Sequence, residues 1–261
     1  MCLFLHKGAC TMTTLTLLTI ILFILMIAVG RKNGLKAFLS IFVNICLLSL
    51  AIIFISIKIN IVVTIFLFII IMGAFNILIT NGFNRESHVA LLSTFLTFVV
   101  LLPLIYFAIH YTHIEGFAME EGDDIATYSL NIGLSFVQIT AFMIMISVLG
   151  AIIDISVSIA TSMQEIFKHN PNMTSFQLFK SGMFVARDIL GTTTNTLYFA
   201  YLGSYMTLLI WFFNLHYSFE MILNTKVFAE EVITILTGGI AVCIAIPLTC
   251  IIASRLITRA Q

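Results

Sequence analysis

Runs of about twenty apolar residues recur along this chain of 261 residues. Each is long enough to cross the roughly 30 Å hydrocarbon layer of a bilayer as a helix rising about 1.5 Å per residue. Seven stretches qualify: Thr13–Val29, Leu35–Ile57, Ile59–Thr80, Val89–Ile109, Leu130–Ile153, Thr192–Asn214 and Glu231–Ile252. Barrel strands are excluded, because those run for about ten residues of alternating polarity and these runs are uninterrupted. Composition agrees: 61% of the chain is hydrophobic and 9% charged, against roughly 25% charged in soluble domains. So few charges cannot coat a folded body in water. The expectation is an all-α polytopic helical membrane protein of about seven transmembrane helices, with the lipid bilayer as its solvent. Lys58 and Asn60 leave room for only a tight hairpin between the second and third spans.

Charge distribution orients the chain. Arg31, Lys32, Lys36, Arg85, Lys168, Lys180, Arg187, Arg255 and Arg259 fall on one side of the expected spans, and only Lys7, Lys58 and Lys226 on the other. The positive-inside rule then puts the N-terminus outside and the C-terminus in the cytoplasm. The loop His110–Tyr128 fits the outside, with Glu115, Glu120, Glu121, Asp123 and Asp124 and no Lys or Arg. The zero net charge supplies no electrostatic reason to bind nucleic acid. Residues 1–11 read as an extension ahead of a natural start at Met12, and 12–261 as one transmembrane domain. No removable signal peptide is expected. Cys46, Cys243 and Cys250 sit in apolar runs as small hydrophobes, while Cys2 and Cys10 lie in a short N-terminal segment and could pair.

Most of the polar groups set in or beside apolar runs lie between residues 147 and 199. At 100° per residue Ser147, Gly150, Asp154, Ser158, Thr161 and Glu165 share one helical face, a pattern that permits close helix approach and interhelical hydrogen bonds. Asp154 is flanked by Ile152, Ile153, Ile155 and Val157. An ionised carboxylate at the middle of a span costs about 2.5–3.5 kcal/mol on insertion scales. Asp154 is therefore protonated, paired or set in a wet cavity, and so a candidate proton or cation relay; nearer the cytoplasmic interface it would simply be solvated.

Asn170-Pro171-Asn172 marks a turn, and Thr174 with Gln177 forms a capping box that opens a helix. Over Ser175–Ile189 that helix is read as an amphipathic element in the inner headgroup region, with Phe176, Phe179 and Met183 on one side, or as an ordinary connector. Asp188, Thr192 and Asn195 then share a face at the opening of the sixth span. Asn195 needs a partner from a neighbouring helix, and an Asp154–Asn195 or Asp154–Arg187 contact is the expectation. The relay candidates are thus Asp154, Asn195, Thr192, Ser158 and Glu165, with Arg187 and Asp188 as a cytoplasmic gate.

The runs G-A-I-I-D-I-S-V-S-I-A-T-S-M-Q-E (Gly150–Glu165) and A-R-D-I-L-G-T-T-T-N-T-L (Ala186–Leu197) resemble the YibE/YibF family. The likeness extends from about residue 12 to the C-terminus. It implies a multi-pass protein of the bacterial inner membrane with a homologous membrane partner. A looser likeness, in the order of these motifs and in Gly238-Gly239 with Arg255 on the last span, is to SecD, SecF and similar permease halves, whose large domain between the first two helices has no counterpart here.

Other constellations carry less. His110 and His113 with Glu115 have a spacing common by chance, so no metal is expected, and the acidic cluster at 120–124 lacks the spacing of a calcium loop. H-E-x-x-H, G-x-S-x-G and P-loop motifs are missing, so no enzyme activity and no cofactor are expected. The leading expectation is a proton-coupled transporter or permease-like subunit; the alternative is an assembly or scaffold subunit that moves nothing.

Overall fold

The computed structural model describes residues 2–57, 61–112, 114 and 136–258. Lys58, Asn60, His113, the acids from Glu115 to Asp124, Leu130 and Arg259 lie outside the described residues, as do the side chains of Cys2, Lys7 and Cys10.

No strand occurs among the described residues. Over their described residues the seven apolar stretches are helical, but for Ile57 in a turn. The first continuous helix, Cys2–Ser56, breaks at Arg31, whose φ of 48° and ψ of −125° are not helical. We label residues 2–30 α1 and 32–56 α2. Phe23 and Phe38 have ring centroids 4.8 Å apart, whereas fifteen residues of straight helix would separate them by about 22 Å. The chain therefore doubles back at Arg31. Gly34 makes the close return possible, because a Cβ there would collide with the carbonyl oxygen of Met26. Arg31 and Lys32 stand at the tip of this reversal and Lys36 on the first turns of α2, so the basic group expected in a loop sits on a tight hairpin.

The remaining helices are α3 (Ile61–Asn81), α4 (Arg85–Thr112), α5 (Phe136–His169), α6 (Ser175–Asn214), the short α7 (Phe219–Asn224) and α8 (Lys226–Thr258). Five described segments are long and apolar enough to cross a membrane, the first being the α1–α2 pair, and Val63–Ile79 is a shorter apolar helix. The architecture is that of a polytopic helical membrane protein. At the end of α3, Gly82 takes a φ of 78° and donates its N–H to the Leu78 carbonyl at 2.9 Å, a left-handed cap that suits a residue without Cβ.

α4, α5 and α8 form the centre of the bundle. Their contact surfaces are built from small residues at helical spacing. On α8, Gly238, Ala241, Ala245, Thr249 and Ala253 are buried, and on α4, Ala90, Ser93, Thr94 and Thr97. Lipid gives helices no hydrophobic reason to associate, so close backbone approach and hydrogen bonding must do it. The Thr249 hydroxyl accordingly lies 3.4 Å from the Ser156 hydroxyl of α5, with both side chains buried. α3 packs on α4 and α5, and α1 and α2 reach the bundle mainly through α3.

α6 packs against α8 and α5. Its capping box forms as expected: Gln177 N–H donates to the Thr174 hydroxyl at 3.3 Å and Thr174 N–H to the Gln177 side chain at 2.9 Å. One expectation is corrected in part, because residues 175–189 are not a separate helix. They open a continuous helix of 40 residues, about 60 Å long, whose first turns run on from the span. The buried stripe there is Leu178, Gly182 and Ala186, while Phe176 is 74% exposed. Gly182 gives the Met163 side chain of α5 its room, since a Cβ there would stand 2.5 Å from the Met163 sulfur and displace it.

Candidate functional site

α5 carries the polar stripe as its spacing requires. Ser147, Gly150, Asp154, Ser158, Thr161 and Glu165 are all exposed, while Ile152, Ile155, Ser156, Ile159 and Met163 behind them are buried. Among the described residues, the stripe is the face of α5 that the bundle leaves uncovered.

Asp154 and Ser158 line an open cavity of about 640 Å³ whose other walls come from α2 and α3, with Asn44, Asn76 and Asn81 as the polar contributors. Such a volume holds many waters, since one water takes about 30 Å³ of liquid. Among the described residues Asp154 makes no hydrogen bond or ion pair. Facing it across the cavity is a closed polar cluster. Asn44 donates to the Asn76 side-chain oxygen at 2.9 Å, and Asn76 donates back at 3.1 Å. The Ser40 hydroxyl is a second donor to the Asn76 side-chain oxygen at 3.0 Å, and Asn76 itself donates to the Met72 carbonyl at 2.9 Å. This reciprocal amide pair fastens α2 to α3 and fixes one wall of the cavity beside the acid. Asn44, Asn76 and Asn81 were passed over in the sequence, although an amide inside an apolar run carries the same need for a partner as Asn195.

The expected contact between Asp154 and α6 does not form. Tyr201 of α6 donates its hydroxyl to the Ser147 carbonyl at 2.9 Å, and Gly182 meets Met163 lower down. Between these points the two helices run antiparallel, which brings Asp154 level with the Thr192–Thr194 run. Depth matches but direction does not, because Asp154 faces α2 and α3 while Asn195 is exposed on the outer side of α6. Thr192 turns its hydroxyl to the Ile189 carbonyl at 2.9 Å. Arg187 and Asp188 are exposed and form no ion pair with Asp154. Glu165 is held by Lys168 at 2.7 Å on an exposed turn, eleven residues and about 16 Å along the helix from Asp154. Of the expected site residues, then, the cavity unites Asp154 and Ser158 and leaves Asn195, Thr192, Glu165, Arg187 and Asp188 outside it.

The model of one protein family, described as YibE/F-like protein, matches residues 18–259, nearly the whole chain. No curated protein and no solved structure matches it, so the looser likeness to SecD and SecF rests on residue order alone.

Proposed function

The chain belongs to the YibE/F-like family, and from that premise we propose that it is a permease-like subunit of the bacterial cell membrane, coupled to a proton bound at Asp154. The cavity carries this reading. An acid with apolar neighbours on its own helix faces about 640 Å³ of space shared with Asn44, Asn76, Asn81 and Ser158, not a packed partner. A carboxylate that moves a cation must exchange it with water, whereas one that only staples helices needs no water at all. Asp154 takes up and releases the proton, and Ser158, Asn76 and Asn81 offer hydroxyl and amide groups along the way. With basic residues facing the cytoplasm, Asn81 at the end of α3 marks the inner mouth. This work requires neither a cofactor nor catalysis by the chain. Infrared difference spectra of the reconstituted protein test it: a carboxyl band that titrates across the physiological pH range and vanishes in Asp154→Asn supports the reading. A band from Asp154 that never changes with pH sinks the proton coupling.

A second reading is favoured by a different observation. Only 6% of the apolar stretch of α6 is buried, yet Asp188, Thr192, Asn195 and Thr196 lie on its exposed face. The Thr192 and Thr196 hydroxyls bond carbonyls of α6 itself, but an Asn195 amide facing hydrocarbon calls for a partner, which a homologous membrane chain packed on α6 would supply, making this protein a scaffold. Co-purification decides it. Loss of a partner from Asn195→Leu, with no effect of Asp154→Asn, would favour assembly over transport.

A further inference from the structure

Apart from the Asp154 cavity, α6 and α8 line a second one of about 270 Å³. Tyr198, Tyr205, Leu209, Phe228, Glu231 and Val232 are among its lining residues. Tyr201, between Tyr198 and Tyr205 on α6, donates to the Ser147 carbonyl. The pocket therefore lies beside that contact, toward the start of α8, and shares no lining residue with the Asp154 cavity.

Its chemistry is one-sided. The walls are aliphatic and aromatic, and the only acid on them is Glu231. The Glu231 Oε1 atom is buried without a hydrogen-bond partner. The Tyr201 hydroxyl, which lies near enough to feel the Glu231 charge, is already committed to the Ser147 carbonyl. No Lys or Arg lines the pocket. A buried carboxylate oxygen left unpaired is costly, and a positive charge bound beside it would relieve that cost. Rings of Tyr and Phe attract cations over their faces, so tyrosines and a phenylalanine around one carboxylate suit an alkylated ammonium better than a hydrated metal ion. The volume lies just below the roughly 300–1,000 Å³ of drug-sized sites, which matches a small cationic head with an apolar tail entering between α6 and α8.

We propose that this pocket binds the organic ammonium group of an amphipathic molecule, with Glu231 as its counter-charge and Tyr198, Tyr205 and Phe228 around that group. The site is independent of the proton reading for Asp154. Two sources share this chemistry, the amine headgroup of a phospholipid and a free amphipathic cation.

Equilibrium dialysis of the purified chain in maltoside detergent tests it, with labelled benzyltrimethylammonium as the probe and neopentylbenzene, its uncharged carbon isostere, as competitor. The expected result is saturable binding that the isostere does not displace. Glu231→Gln should weaken it about tenfold or more, and Tyr205→Leu about threefold. Displacement by added phosphatidylethanolamine assigns the site to a lipid headgroup, and failure to displace assigns it to a free cation; either keeps the site. Absence of saturable binding, equal competition by neopentylbenzene, or unchanged binding in a folded Glu231→Gln protein overturns it. If Glu231→Gln loses its folded elution profile, the isostere comparison on the unaltered chain decides.

Discussion

α5 and α6 each carry a stripe of polar side chains into an apolar run, and the bundle serves them differently. Within their apolar stretches α5 is 56% buried and α6 6%. α5 sits at the centre against α4 and α8 and leaves free only the face that borders the asparagine-lined cavity. α6 lies at the rim, and its Asp188, Thr192, Asn195 and Thr196 look outward. A polar group in a membrane can be satisfied by cavity water or by another chain, and the same spacing on two consecutive helices is compatible with both. Helical periodicity says which residues share a face; the packing of the other helices decides what that face meets.

The largest effect that would break this contrast is steric. Ala245 on α8 is fully buried in the central seam, and Ala245→Phe should cost about 3 kcal/mol or more by overpacking, read as loss of the folded form in thermal unfolding. Ala200→Phe, on the exposed side of α6, should change stability by no more than about 0.5 kcal/mol. Equal losses would mean that α6 is packed as tightly as α5.

Next comes the polar cluster. Asn76→Leu strips Asn44 of its reciprocal partner and should cost about 1 kcal/mol in unfolding from bicelles. Asn195→Leu removes no hydrogen bond among the described residues and should leave the isolated protein near its original stability. The smallest effects are couplings. A double-mutant cycle on Asn44 and Asn76 should give about 0.6–1.7 kcal/mol. The cycle on Asp154 and Asn195 should be additive within about 0.5 kcal/mol. Strong coupling in the second cycle would restore the α5–α6 contact that the structure lacks.

Much of this was legible before any coordinates. Apolar run length defined the spans, Thr174 and Gln177 announced the start of α6, and 100° spacing put the whole Ser147–Glu165 stripe on one face. The turn at Arg31 was less so. Gly30 through Gly34 reads as a basic loop, and only the close approach of Gly34 to Met26 shows that two helices meet there without one. The cavity was out of reach for a plainer reason. Asn44 and Asn76 are distant in sequence from Asp154, and their need for partners, visible in each apolar run, names no address. Asn195, next in sequence, drew the pairing that Asn76 makes with Asn44. The role of Glu231 was hidden because an acid at the start of a span looks solvated until the aromatic walls around it are seen.

The central claim is that Asp154 faces water inside the bundle, and thiol accessibility tests it most directly. The background lacks Cys2, Cys10, Cys46, Cys243 and Cys250. Asp154→Cys should react with a small, membrane-impermeant methanethiosulfonate reagent and far more slowly with a polymer-linked maleimide too bulky for the cavity. Ile152→Cys, at a side chain with no exposure, should stay unlabelled by both. If Asp154→Cys is as unreactive as Ile152→Cys from either side of the membrane, the cavity is not wet and the account of Asp154 as a proton carrier fails.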